Sequence, residues 1–141
     1  MGENRNAMKK ILRIIDVNMN RALEGLRVVE EICRFILEDK RLTLSVKKLR
    51  GELSRIAKMS EKLIEARGAE KDVGRKLYTK REGKRGNIQD IFRSNMKRAE
   101  EAVRVLEEFS KLLDPKMGQK FKAVRFKLYT IEKKVARKLV V

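Results

Sequence analysis

Residues 18–31 read "NMNRALEGLRVVEE", and residues 95–108 read "NMKRAEEAVRVLEE". The second stretch restates the first 77 residues later, with nine of fourteen positions identical and three more exchanging one apolar or small residue for another. Ala22, Leu26, Val29 and Cys33 recur at three-and-four spacing, as do Ala99, Val103 and Leu106, which is the period of a helix with one apolar face. A helix stated twice points to a duplicated unit, and this decides the fold.

Working outward from the repeat, the first helix is expected from about Met8 to Glu38, where Asp39-Lys40-Arg41 breaks the apolar period. A second starts near Thr43 or Ser45, either of which suits an N-cap, and runs through Val46, Leu49, Leu53, Ile56 and Leu63 toward Gly68. A third starts near Asn87. A fourth follows Asp114-Pro115, with Asp at the cap and Pro at the first helical position. The second and fourth share a shorter echo, Leu49-Arg50 and Val124-Arg125. The expected fold is an all-α bundle in one domain, 1–141. Two helical hairpins, 8–66 and 87–139, are related by a pseudo-twofold and joined by a basic loop, 67–86. Strand-like alternations are too few to build a sheet.

Charged residues make up 40% of the chain, far above the usual quarter, which suits long helices with solvated faces and also the Lys/Glu/Arg enrichment of thermophiles. Lys and Arg exceed Asp and Glu by 37 to 20, so the net charge of +17 attracts anions: phosphorylated metabolites, nucleotides, RNA or an acidic membrane. The absence of His argues against zinc and imidazole chemistry. A lone Cys33 forms no internal disulfide and fits a reducing compartment as a small core residue. No apolar run approaches the ~20 residues that span a bilayer, and the basic start lacks a secretory apolar segment. A cytoplasmic protein is expected.

On a helical wheel, Ala22, Val29, Cys33 and Ile36 fall within about 60° of Asn18, so an Asn amide points along the apolar stripe. Arg21 sits on the shoulder of that stripe with Glu24 beside it, whereas Arg27, Glu30 and Arg34 face outward as a solvated set with i,i+4 pairs. Asn95, Arg98, Glu101 and Arg104 repeat the arrangement. A single inward Asn is an ordinary buried hydrogen bond or a register device. Two at matching places point to a polar pocket between the helices. There Arg21 and Arg98 would offer forked donors to phosphate or carboxylate, and Glu24 and Glu101 would hold those guanidiniums or ligate Mg²⁺.

The loop 67–86 holds four of the eight glycines, eight basic residues and three acidic ones. Its "KDVGRK" (71–76) and "GKRG" (83–86) can turn backbone N–H groups and cations toward an anion. Neither matches a Walker-type phosphate loop, and no G-x-G-x-x-G occurs.

The stretches "RIIDVNMNRALEGLRVVEEICRFILED" (13–39), "RGAEKDVG" (67–74), "SNMKRAEEAVRVLEEFSKLLDP" (94–115) and "FKAVRFKLYTIEK" (121–133) together resemble one family. It is the helical domain found ahead of thiamine-phosphate synthase in some bacteria, and sometimes alone. That family is regarded as an alternative hydroxymethylpyrimidine-phosphate kinase, unrelated to the ribokinase-like enzyme. The resemblance implies phosphoryl transfer from ATP, with Mg²⁺, to 4-amino-5-hydroxymethyl-2-methylpyrimidine phosphate. The diphosphate formed is the substrate of thiamine-phosphate synthase, which is then a separate partner chain.

Carried over, the pattern points to Asn18, Arg21, Glu24 and Arg27, to Asn95, Arg98, Glu101 and Arg104, and to Arg67, Asp72 and Gly74 in the loop. Arg21, Arg98, Glu24 and Glu101 are the expected catalytic set. The two Asn, Arg27, Arg104, Arg67, Asp72 and Gly74 would bind substrate, with Asp72 also the expected metal ligand. The loop departs from the family, which carries Thr or Pro where "GAEK" stands before Asp72. Competing readings are an RNA-binding helical module, a different all-helical enzyme acting on an anionic metabolite, and a non-catalytic regulatory partner of the synthase. The long apolar faces also leave room for a homodimer.

Overall fold

The computed structural model describes residues 2–56, 66–80 and 82–140. Among them stand four α-helices: α1 (Gly2–Glu31), α2 (Lys40–Ile56), α3 (Ile88–Ser110) and α4 (Pro115–Leu139). No strand occurs among the described residues, and no helix is long and apolar enough to cross a membrane. The all-α class stands as expected. The expected tail of the second helix, with Leu63, falls in 57–65, outside the described residues.

Caps set the helix starts. Asn87 Oδ1 accepts from Asp90 N at 2.8 Å, and Asp114 Oδ1 from Lys116 N at 3.0 Å, as read from the sequence. The expected start of α2 at Thr43 or Ser45 is corrected: Asp39 is the cap, accepting from Leu42 N at 2.9 Å, so the charged triplet that breaks the apolar period opens the next helix. α1 begins at Gly2, six residues before the expected Met8, through turns whose side chains are exposed and which apolar periodicity cannot see.

Ion pairs across the helices define their directions. Glu30–Arg50 ties α1 to α2, and Glu107–Arg125 ties α3 to α4. Glu52–Lys127 and Asp39–Lys138 run antiparallel between α2 and α4. α1 and α3 are therefore antiparallel as well, and they form the most extensive helix contact, with Gly25 seated against Asn95 and Ala99. The pseudo-twofold passes between Ala22 and Ala99, both fully buried. Small residues let the backbones meet there. A Cβ on Gly25 would stand 2.7 Å from the Asn95 carbonyl oxygen. Gly25→Ala should lower stability by about 1–2 kcal/mol in denaturant melts, because a backbone clash outweighs the ~1 kcal/mol gain in helix propensity. Leu26, Val29, Leu53, Leu106, Phe121 and Leu128 fill the core behind this seam.

The two hairpins differ at their turns. Asp39 follows Glu30 at an offset of nine, whereas Asp114 follows Glu107 at an offset of seven. The two extra residues are absorbed by a π-helical turn at Ile32–Ile36 and by Glu38 in the left-handed region at φ 50°. The wide turn leaves Phe35 and Ile36 exposed, so the apolar role expected of Ile36 is not taken up.

Candidate functional site

The repeat places a charged quartet around the pseudo-twofold. Gly25 stands level with Asn95 and Ala99 in an antiparallel pair. Arg21 is therefore level with Glu101, and Glu24 with Arg98, to within about one residue. All four lie on the flank turned away from α2 and α4, and all four are exposed. Opposite charges thus alternate around the axis. None of the four makes a hydrogen bond or ion pair within 4 Å among the described residues, although twelve other ion pairs are formed. The expected i,i+3 bracing of Arg21 by Glu24 and of Arg98 by Glu101 is thus not formed. What sets these four apart is their duplicated, charge-alternating placement about the axis, which leaves two guanidiniums and two carboxylates available to one ligand.

The two asparagines stand one helical turn before Ala22 and Ala99, on opposite sides of the axis. Asn18 is buried and donates its amide N–H to the Ile14 carbonyl at 2.9 Å; Asn95, partly buried, donates to Ile91 at 2.8 Å. Each returns to the backbone one turn earlier, and neither Oδ1 meets a donor among the described residues. The expected polar pocket between the helices is corrected. Gly25 and the alanines of the seam bring α1 and α3 to backbone contact, so the charges collect outside the seam rather than within it.

The outward set is also rearranged. Arg27 pairs with Glu31 at 3.3 Å, as expected, but Glu30 is fully buried and meets Arg50 at 2.9 Å and Arg27 at 3.7 Å. Arg104, Glu107, Glu108 and Arg125 repeat the cluster: Arg104 lies 3.8 Å from Glu107 and 3.3 Å from Glu108, and Arg125 Nε 2.8 Å from Glu107. The pair with Glu107 and the bond to Tyr129 raise the Arg125 pKa further. Arg27 and Arg104 are thus engaged with their own helices. These duplicated clasps escaped the wheel because it treats a helix alone. The signal was the Leu49-Arg50 and Val124-Arg125 echo, offset by 75 rather than 77 residues.

The loop is pinned at both ends. Arg67 forks onto Asp16, Nε to Oδ2 and Nη2 to Oδ1, both at 2.7 Å, and Arg13 donates to Gly68 O at 2.9 Å. The Asp16 carboxylate raises the Arg67 pKa. Asp16, 4% exposed, was missed because its partner lies 51 residues away. At the other end Gly86 N donates to Asp90 Oδ2 at 3.1 Å. Asp72 Oδ1 accepts from Gly74 N at 2.8 Å, shaping its own turn and leaving one oxygen available. No group of three or more acidic or thiol side chains able to cage a metal occurs among the described residues. That donor set fits Mg²⁺ only in company with phosphate oxygens, as is usual for this ion.

Between the loop and α3 opens a cleft of about 560 Å³, lined by Lys80, Glu82, Lys84, Arg85, Asp90, Arg93 and Ser94. The ThiD2 family model matches residues 13–134. The chain belongs to the ThiD2 family. A thiamine-phosphate synthase of Synechocystis sp. is 44% identical over 122 residues, covering 86% of this chain and 35% of the relative. The same enzyme of Nostoc punctiforme is 42% identical, covering 86% of this chain and 34% of the relative, and that of Thermosynechococcus vestitus 40%, covering 88% and 35%. The chain spans about a third of the length of the curated relatives it matches. No solved structure matches it.

Proposed function

We propose that this chain acts in thiamine biosynthesis, transferring the γ-phosphoryl group of ATP to 4-amino-5-hydroxymethyl-2-methylpyrimidine phosphate. The observation that carries this reading is the unpaired quartet of Arg21, Glu24, Arg98 and Glu101 on the shared face of α1 and α3. Phosphoryl transfer needs positioning and charge neutralisation more than covalent help from the protein. An oxygen of the acceptor's phosphate attacks the γ-phosphorus, the bond from that phosphorus to the β-bridging oxygen breaks, and ADP leaves. Two like-charged groups must approach, and Arg21 and Arg98 offset their repulsion by gripping nonbridging oxygens. Glu24 and Glu101 orient those guanidiniums once the ligand is seated, or accept the aminopyrimidine's amino hydrogens. The Oδ1 atom of Asn18 or of Asn95 would accept from the ring's amino group. Mg²⁺, when bound, would neutralise phosphate charge, and Asp72 is the residue we assign to hold it.

The relatives bear on the pathway: they are named thiamine-phosphate synthases, and this chain matches a third of each. That coverage also favours a second reading, a non-catalytic partner of the synthase. The experiment that separates them incubates the purified chain with ATP, Mg²⁺ and the pyrimidine phosphate, and follows the diphosphate by chromatography and ³¹P NMR. Diphosphate and ADP should appear in equal amounts. Binding of the pyrimidine phosphate without turnover would sink the kinase reading in favour of the partner role.

A further inference from the structure

We infer that the cleft between the loop and α3 seats the polyphosphate of the nucleotide, an assignment that rests on the kinase reading. Its volume of about 560 Å³ falls within the usual range for small-molecule sites. Four of its seven lining residues are cationic. The Lys80 and Lys84 ammonium groups have no partner among the described residues. Arg85 donates to the carbonyls of Glu82 and Lys84, and Tyr78 donates to the Glu82 carbonyl at 3.0 Å, so the turn that carries the lysines is held in shape.

The acidic residues of the cleft do not cancel this field. Asp90 already accepts from Arg93 at 2.9 Å and from Gly86 N at 3.1 Å, and these bonds lower its pKa. Its charge is therefore satisfied within the wall. Glu82 carries the one carboxylate of the lining with no partner among the described residues. With Asp90 engaged by Arg93, the remaining cations Lys80, Lys84 and Arg85 outnumber Glu82 by three to one. The Ser94 hydroxyl, also without a partner among the described residues, completes the wall.

Position links this cleft to the quartet. Ser94 precedes Arg98 by four residues on α3, about one helical turn or ~6 Å. A polyphosphate lying along the cleft thus presents its terminal phosphate toward Arg98 and the axis. The duplication makes the placement one-sided. Arg13, Asp16 and Val17 hold the places in α1 that Asp90, Arg93 and Ser94 hold in α3. There Arg67 and Gly68 are docked on Asp16 and Arg13. Of two equivalent ends, the loop fills one and leaves the other open and basic. This gives a pseudo-symmetric pair of helices one nucleotide end.

The test is calorimetric titration of the full chain with inorganic tripolyphosphate at about 0.15 M salt, where exposed charges are screened beyond ~8 Å. Lys80→Ala with Lys84→Ala should weaken binding at least tenfold and leave the melting temperature unchanged, since both side chains are exposed. Lys9→Ala with Lys10→Ala, which removes the same charge from the exposed start of α1, should change it less than twofold. Equal losses in both pairs, or undiminished binding in the loop pair, would overturn the assignment. The two ideas fail separately. Loop-dependent binding without any diphosphate formation defeats the kinase reading alone, whereas diphosphate formation with an unchanged KM for ATP in the loop pair defeats the cleft alone.

Discussion

Replacing Arg21 and Arg98 together by alanine lowers diphosphate formation by about 100-fold or more, while the thermal midpoint stays within about 2 °C. Both side chains are exposed and make no bond among the described residues, so their removal leaves no buried group there without a partner. Surface substitutions of this kind stay within about 0.5 kcal/mol. Their loss is felt only when a phosphate must be held against the approaching γ-phosphate. Each single variant should show part of the effect, because the pseudo-twofold puts the two guanidiniums at equivalent places about one axis. Replacement by lysine should recover only a fraction, since an ammonium cannot fork across two oxygens. Steady-state rates beside melting curves check all three points. Wild-type turnover in the double variant would remove the quartet from the site.

Glu100→Leu raises stability by about 3 kcal/mol at pH 8 and by much less at pH 4. Glu100 is 4% exposed, neither of its carboxylate oxygens has a hydrogen-bond donor among the described residues, and the Lys97 ammonium reaches no closer than 3.6 Å. Burial first, and then the neighbouring Glu132, push its pKa up to about 7 from the ordinary 4.5. A carboxyl whose pKa is raised in the folded state favours the protonated form there. Below about 4.5 it is protonated in both states and costs nothing. The cost grows as pH rises from 4.5 toward 7 and is fully present above that. The first copy already carries the substituted residue, because Leu23 stands where Glu100 stands. Urea titrations across pH 4–8 should show a falling stability in the parent that flattens in Glu100→Leu. A parallel pair of pH profiles would mean the carboxyl is solvated.

Two buried carboxylates, Glu30 and Glu100, illustrate where sequence reading stops. Glu30 falls on the outward side of its own helix, yet it is fully buried because α2 packs there and Arg50 meets it. A single-helix wheel contains no information about the neighbour. Glu100 is hidden for the same reason, by the approach of α4. By contrast the caps Asn87 and Asp114 were legible, because a cap acts on residues two or three places along the chain. Asp16 and Arg67 needed the loop to fold back over α1 before either could be recognised.

Taken by itself, the amino-acid order determined the helical class, the duplication and the membership of each residue in a face. Those follow from periodicity and local hydrogen bonding, which operate within about one or two turns. Only the tertiary structure decided that the repeated Asn residues close onto their own backbone, that the quartet lies outside the seam, and that one end of the helix pair stays open beside a basic cleft. These depend on how near α1 comes to α3, and that distance is set by Gly25 meeting the Asn95 carbonyl across 70 residues of chain.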